Sequence, residues 1–161
     1  MYKIILALTI SFLVFSCKTP APAEGTTTKT DRSIQSGLKG NWKIAEVTFP
    51  GSNYFKVNSF QIADSKCFIG STWQFIPNNN KGTMSLNSSD CPAFNSSIVW
   101  SISKDSIFSL KFIESGVKSK NVTQGFVLKF ANQTSDSFQL IDQVNIGGQL
   151  KDVIYRFEKV N

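Results

Sequence analysis

The stretch LKGNWKIAEVTF, residues 38–49, is the first in the chain in which apolar and polar residues alternate as they do along a half-buried β-strand. The same alternation recurs down the rest of the chain, with turn-forming residues at short and even intervals. The pattern predicts eight strands, at residues 41–49, 71–77, 82–87, 95–103, 106–114, 121–131, 135–144 and 148–160. No long helical periodicity competes with it, so the fold class is all-β.

Short connections predict that these strands form an antiparallel meander. The turns NNNKG (78–82) and NIGG (145–148) offer the left-handed backbone that tight hairpins need. One long connection, residues 50–70, follows the first strand; we expect a helical turn near 59–66, with Asp64 and Ser65 as capping or turn residues. Eight sequential strands with one long connection predict an up-and-down barrel, which leaves no free sheet edge.

The GNW triplet at residues 40–42 opens the first strand. It resembles the G-x-W signature of lipocalins, and residues 38–161 most resemble the lipocalin-like lipoprotein domains of Bacteroidetes, in which paired cysteines bracket a W-x-F strand. The resemblance implies that Trp42 plugs the closed floor of the barrel beneath a basic side chain of the last strand. Strand parity favours Lys159 for that role, with Arg156 as the alternative if a bulge shifts the register. The alternative interpretation is that Trp42 is simply one core residue of a sandwich or a different barrel.

An export signal precedes the domain. Residues 1–16, MYKIILALTISFLVFS, combine an early lysine with an apolar run too short for an ordinary membrane span. The VFSC sequence resembles the lipobox of bacterial lipoproteins, which implies that Cys17 carries the lipid anchor. We therefore predict a signal peptide at 1–16, an anchor and flexible linker at 17–35, and the barrel domain at 36–161. An ordinary secretory signal that happens to end in a cysteine is the alternative.

The two remaining cysteines are expected to pair. With Cys17 removed, Cys67 and Cys91 form an even set in an oxidising compartment. A zinc site is the alternative, but the chain contains no histidine to complete the ligand set. The bond is expected at the rim opposite Trp42, where it would pin residues 50–70 across the mouth as a lid, with Tyr54, Phe55 and Phe60 as apolar contacts.

The alternation of inward and outward positions also predicts that aromatic side chains fill the barrel interior. A barrel of eight strands has room either for these side chains or for one small ligand. The candidate apolar contacts for such a ligand are Trp73, Trp100, Phe112 and Tyr155. Towards the mouth the inward positions become polar, which makes Glu46, Asp142 and Lys151 candidates for orienting a polar head group. A barrel filled by its own side chains, acting as a structural or interaction lipoprotein, is the competing reading.

Catalysis is not expected, because the sequence offers no histidine base, no free cysteine nucleophile and no phosphate-binding loop. No cofactor, metal or catalytic residue is predicted. The net charge of +6 comes from scattered lysines and indicates no nucleic-acid partner. The prediction is a monomeric, lipid-anchored envelope protein that faces the periplasm from the outer membrane, with a small hydrophobic or amphipathic ligand.

Overall fold

Eight antiparallel strands close into a barrel in the computed structural model, which describes residues 31–160. The predicted all-β up-and-down barrel is confirmed. Cys17, the signal peptide and most of the linker lie outside the described residues. The elements in chain order are α1 (Arg32–Gly37), β1 (Gly40–Thr48), β2 (Asn58–Ser59), β3 (Ala63–Asp64), β4 (Thr72–Ile76), β5 (Lys81–Leu86), β6 (Phe94–Ile102), β7 (Ile107–Ile113), β8 (Phe126–Ala131), β9 (Ser137–Ile146) and β10 (Gln149–Val160).

The barrel runs through its strands in sequence order from β4 to β10, and β1 closes it by pairing with both ends of the series. Seven of the eight predicted strands both begin and end within two residues of their predicted bounds. The exception is the strand predicted at 121–131, which begins only at Phe126, where pairing with Leu110 of β7 starts. The preceding residues form a loop with a 3₁₀ turn at Ser119–Asn121. The alternation of apolar and polar residues at 121–125 therefore does not correspond to a strand.

Helix α1 covers the end of the barrel at which β1 begins. Asp31 caps it by accepting hydrogen bonds from the backbone N–H groups of Ser33 and Ile34. The buried side-chain carbonyl of Gln35 accepts a hydrogen bond from Ile102 N at the end of β6. The prediction that residues 32–35 belong to a flexible linker is therefore wrong, because these contacts order them against the floor. No helix in residues 31–160 has the length and apolarity needed to span a bilayer.

A β-bulge interrupts the first strand. Ile44 pairs with Phe157 and Glu46 with the adjacent Arg156, so two steps along β1 match one step along β10. The extra residue turns Glu46 outward and places Val47 in the core instead. The prediction that Glu46 faces the barrel interior is wrong for this reason.

The long connection, residues 50–70, reaches into the open end of the barrel, here called the mouth. Its centre is a small hairpin formed by β2 and β3, with Phe60 at its tip. The helical turn predicted at 59–66 is wrong in position, since a 3₁₀ turn occupies Ser65–Phe68. Asp64 does cap that turn, accepting a hydrogen bond from Lys66 N.

The barrel between floor and mouth is filled by stacked and edge-on aromatic rings. Phe138 and Phe157 stack with centroids 4.4 Å apart, and Trp100 stacks on Phe108 at 5.9 Å. The fully buried aromatic side chains are Trp42, Phe68, Trp73, Phe75, Trp100, Phe108, Phe138, Tyr155 and Phe157. Aromatic side chains bury large apolar areas, so this column dominates the stability of the fold.

Candidate functional site

The floor of the barrel is built around Trp42. Its ring is wholly buried, and its indole N–H donates to the carbonyl of Leu38, just before β1. Lys159 is its cross-strand partner, and the ammonium lies 5.6 Å from the centroid of the Trp42 ring. The structure thus places Lys159 within the range of a cation–π contact at the floor.

Arg156, the alternative to Lys159, lies on the outer surface of the barrel. Its guanidinium contacts Glu46 at 3.1 Å and Glu158 at 2.6 Å. These hydrogen bonds raise the pKa of Arg156 and lower that of Glu158. Both carboxylates are solvent-exposed to a large extent, so this cluster adds little to stability and contacts no interior group.

The predicted disulfide is present at the mouth. Cys67 and Cys91 are bonded with their Cα atoms 5.7 Å apart. Cys67 lies in the 3₁₀ turn that follows the β2–β3 hairpin, and Cys91 lies in the connection between β5 and β6. The bond fastens the carboxyl-terminal end of the long connection to the rim.

A pocket of about 650 Å³ opens at the mouth, between the β2–β3 hairpin and the first or last residues of β6, β7 and β8. Four phenylalanines form its apolar wall, together with valines of the loop that follows β7. Glu114, Asn121 and Gln124 supply polar groups at its edge. The lining residues are Phe60, Gln61, Ile62, Phe94, Asn95, Ser96, Phe112, Glu114, Ser115, Val117, Asn121, Val122, Thr123, Gln124 and Phe126.

The predicted apolar ligand contacts are divided by depth. Phe112 lines the mouth pocket, and Trp73 lies just below it, with the two ring centroids 6.2 Å apart. Trp100 is sealed in the floor half, where its indole N–H donates to the carbonyl of Lys81. Trp100 therefore does not share a pocket with Phe112.

The predicted polar head-group residues do not come together either. Asp142 faces inward on β9, half-buried, opposite Val153 of β10. Lys151 lies two pairs further toward the hairpin tip, opposite Val144 and beyond the last residue of β1. Because Glu46 lies outside and the β2–β3 hairpin occupies the mouth, the three side chains form no common site.

A buried polar contact lies on the β10 side of the hairpin. The hydroxyls of Ser59 and Tyr155 share a hydrogen bond inside the barrel. Burial raises the pKa of Tyr155, and the nearby carboxylate of Asp142 raises it further. Burial also raises the pKa of Asp142, with a backbone hydrogen bond from Gln143 opposing the effect. This side of the mouth therefore disfavours negative charge.

We expect the half-buried Asp142 to make stability fall as pH rises. Well below pH 4 the carboxyl is protonated in folded and unfolded chains alike. As pH increases, the unfolded chain releases its proton first, because the folded-state pKa is the higher one. The folded state therefore loses stability until that pKa is passed.

Asp142→Asn should remove this fall, so urea denaturation from pH 4 to 7 should show the variant becoming increasingly more stable than wild type. Asp90→Asn, at an exposed position between β5 and β6, is the control. Parallel pH profiles for wild type and Asp142→Asn would contradict the assignment.

A wider depression of about 710 Å³ lies on the outer wall, across β1, β4, β5 and β6. Most of the exposed side chains that line it are hydrophilic, such as Asn41, Thr72, Gln74 and Thr83, while Val160 is an exposed apolar one. Its large apolar neighbours, Trp42 and Trp73, are fully buried in the core. The mouth pocket instead has a wall of four phenylalanine rings, so it is the better candidate for a small-molecule site.

Comparison with known proteins agrees with this architecture. The family model for a lipocalin-like domain matches residues 38–140. The chain belongs to the lipocalin-like family. Among solved structures, this lipocalin-like domain is similar to a lipocalin-like protein from Bacteroides uniformis, with 16% identity, a TM-score of 0.47, and coverage of 77% of this chain and 99% of that one. It is also similar to an uncharacterized protein from Bacteroides eggerthii, with 16% identity, a TM-score of 0.45, and coverage of 76% and 99%. No curated protein matches the chain.

Sequence reasoning identified part of the mouth of the lipocalin-like domain. Of the three apolar contacts expected from the long connection, Phe60 enters the barrel, Phe55 packs on Phe49, and Tyr54 stays largely exposed. Phe94 and the loop that contains Val117 and Val122 were missed. Phe94 immediately precedes the strand predicted at 95–103 and shares the parity of Ile98 and Trp100, which is the signal that could have found it.

Proposed function

We propose that this protein is a lipid-anchored envelope protein that binds a small apolar or amphipathic molecule at the mouth of its barrel. The observation that carries the proposal is the mouth pocket, with its wall of four phenylalanines and its few polar groups at the edge. Its volume of about 650 Å³ falls within the range of roughly 300–1,000 Å³ usual for ligand sites.

The depth of the filled core determines where the molecule would bind. Trp73, Phe75 and Phe157 contact one another below the mouth and are at most 2% exposed. A ligand that left these rings in place would therefore rest at the mouth, with its apolar part against Phe94, Phe112 and Phe126. Its polar part would face the rim, where Gln124 and Glu114 offer hydrogen-bonding groups.

The same aromatic column favours the second candidate, a filled-barrel lipoprotein that presents its surface to another envelope component and binds no small molecule. Catalysis forms no part of either proposal, because the chain contains no histidine and the two cysteines of the domain are bonded.

Native mass spectrometry of the protein purified from its own membrane tests the ligand. We expect an adduct of a small molecule that is lost on denaturation. Gln124→Trp, which places a large ring in the pocket from an exposed loop position, should abolish the adduct. Gln143→Trp, at an exposed position of β9, should retain it. Absence of any adduct from the native protein would favour the filled-barrel candidate.

The anchor has its own test. Cys17→Ala should release the protein into the soluble fraction and abolish metabolic labelling with palmitate. Each buried methylene contributes about 0.8 kcal/mol, so two or three acyl chains retain a protein that one chain holds only weakly. Membrane retention of the unlabelled variant would contradict the lipoprotein assignment.

A further inference from the structure

The ring of Phe60 sits in a cage of five aromatic side chains. Phe60 is 6% exposed, although it belongs to a loop. Four of the cage rings project from barrel strands, and one from the 3₁₀ turn beside the hairpin. The centroid distances from Phe60 are 5.1 Å to Phe68, 6.5 Å to Trp73, 5.8 Å to Phe112, 5.4 Å to Phe126 and 5.4 Å to Tyr155. The cage is thus built mainly by the rigid wall, and its occupant comes from a short hairpin.

The hairpin reaches the cage in an unfavourable backbone conformation. Phe60 and Gln61 have φ angles of 54° and 58°, in the left-handed region that bulky residues seldom adopt. The strands that flank them contribute only two residues each. Strain of this kind persists only where the surroundings enforce it, and it concentrates at ligand clamps and switches. The backbone cost opposes the packing of the ring, so the cage holds Phe60 less firmly than the ring contacts alone suggest.

One polar group faces the occupant of the cage. The hydroxyl of Tyr155 is buried, and its hydrogen-bond partner is Ser59, the residue before Phe60. If the hairpin moves away, this hydroxyl loses its partner, and a buried unpaired hydroxyl is costly. A replacement for Phe60 therefore has to bring a hydrogen-bonding group as well as a ring. Because burial raises the pKa of Tyr155, that hydroxyl is neutral and can either donate or accept.

The hairpin is attached at both ends by contacts that do not involve its tip. The disulfide fixes Cys67 to the rim, and Phe55 packs on Phe49 on the other side. At the base, Ser65 N donates to the carbonyl of Val57. The tip can leave the cage while these attachments keep the segment over the mouth.

We propose that the five-ring cage is a binding site for a small planar ring that carries one hydrogen-bonding group, such as a phenol, and that Phe60 occupies this site in the absence of such a ligand. The inference rests on the proposed mouth-binding function and names its ligand class. Phe60 acts as an internal competitor, so the observed affinity equals the intrinsic affinity multiplied by the fraction of open hairpins.

The test compares the binding of p-cresol and toluene to the protein by NMR titration. The indole N–H of Trp73 reports on the cage, that of Trp100 serves as a reference at the floor, and the amides of Val122 and Gln124 report on the mouth pocket. Wild type should show p-cresol-dependent shifts at Trp73 and weaker binding of toluene. Tyr155→Phe should make the two affinities nearly equal, because the hydroxyl that distinguishes the probes is gone.

Substitutions at Gln61 change the free-energy cost of the left-handed turn and alter none of the five cage rings. Val disfavours the left-handed conformation, so Gln61→Val should open the hairpin and tighten p-cresol binding about fivefold. Asn tolerates that conformation, so Gln61→Asn should weaken binding about threefold. Gln61→Leu, apolar but unbranched at Cβ, controls for direct contact with the probe. Phe60→Gly empties the cage and should bind p-cresol most tightly of all.

Equal p-cresol affinities for Gln61→Val, Gln61→Asn and wild type would overturn the proposal. Shifts at Val122 and Gln124 without any at Trp73 would also overturn it, while leaving the mouth-binding function intact. If neither the Trp73 indole nor the amides of Val122 and Gln124 shift, in wild type and in Phe60→Gly, the cage proposal is overturned. The native adduct experiment would then decide the mouth-binding function separately.

Discussion

Trp42→Ala is expected to lower the free energy of unfolding by about 3–5 kcal/mol, the usual cost of truncating a large buried aromatic side chain. The ring is wholly buried and packs edge-on against Phe138 with centroids 4.8 Å apart. Its removal leaves a cavity at the floor, and the Leu38 carbonyl loses the indole N–H that it accepts at 2.8 Å. Urea denaturation followed by circular dichroism measures the loss.

Trp42→Phe separates packing from hydrogen bonding at the floor. It keeps most of the apolar ring but removes the donor to Leu38, so it should cost less than the alanine variant does. Lys159→Met provides a second comparison, because it removes the cation above the ring and retains a chain of similar length. That change should cost only about 0.5–1 kcal/mol, as expected for an exposed cation–π contact. A loss below about 1 kcal/mol for Trp42→Ala would show that the floor does not anchor the core.

Removal of the Cys67–Cys91 disulfide is expected to lower stability by roughly 3 kcal/mol. The bond joins residues 24 apart in sequence, and it restricts the unfolded chain more than it shapes the barrel. The double variant Cys67→Ser/Cys91→Ser should therefore unfold at lower urea concentration while keeping its β-sheet circular dichroism. Wild-type protein treated with a reducing agent is the matched control, since it loses the bond without any substitution.

Reduced wild type and the double variant should share the lower urea midpoint. An unchanged midpoint in both would contradict the prediction, because it would mean that the bond does not measurably restrict the unfolded chain.

The barrel could be predicted from sequence because its signals are local. Alternation and turn residues define each strand and hairpin, and short connections allow only sequential neighbours to pair. The bulge was missed because it depends on pairing with β10, although the apolar residues Ile44 and Val47 stand three apart and already break the period of two. Helix α1 was missed because its six residues are too few to show a helical period.

The mouth was the hardest part to predict. The turn at Phe60 and Gln61 contains neither glycine nor asparagine, so no local signal marked a left-handed hairpin tip. The head-group site expected from Glu46, Asp142 and Lys151 followed from parity alone. Parity fails where a strand bulges, and it cannot show that another segment of the chain enters the space between the strands.

The position of α1 determines at which end of the barrel the segment that precedes the domain is attached. Asp31 lies at the closed end, where its backbone N–H donates to the carbonyl of Ile102. The residues from Lys18 to Asp31 number fourteen, a leash of roughly 50 Å at full extension. If Cys17 is acylated as proposed, the tether joins the domain at the closed end of the barrel, opposite the opening. A hydrophobic cargo that enters from the aqueous compartment would then have to desorb from the bilayer, or arrive on a carrier, before it reached the opening.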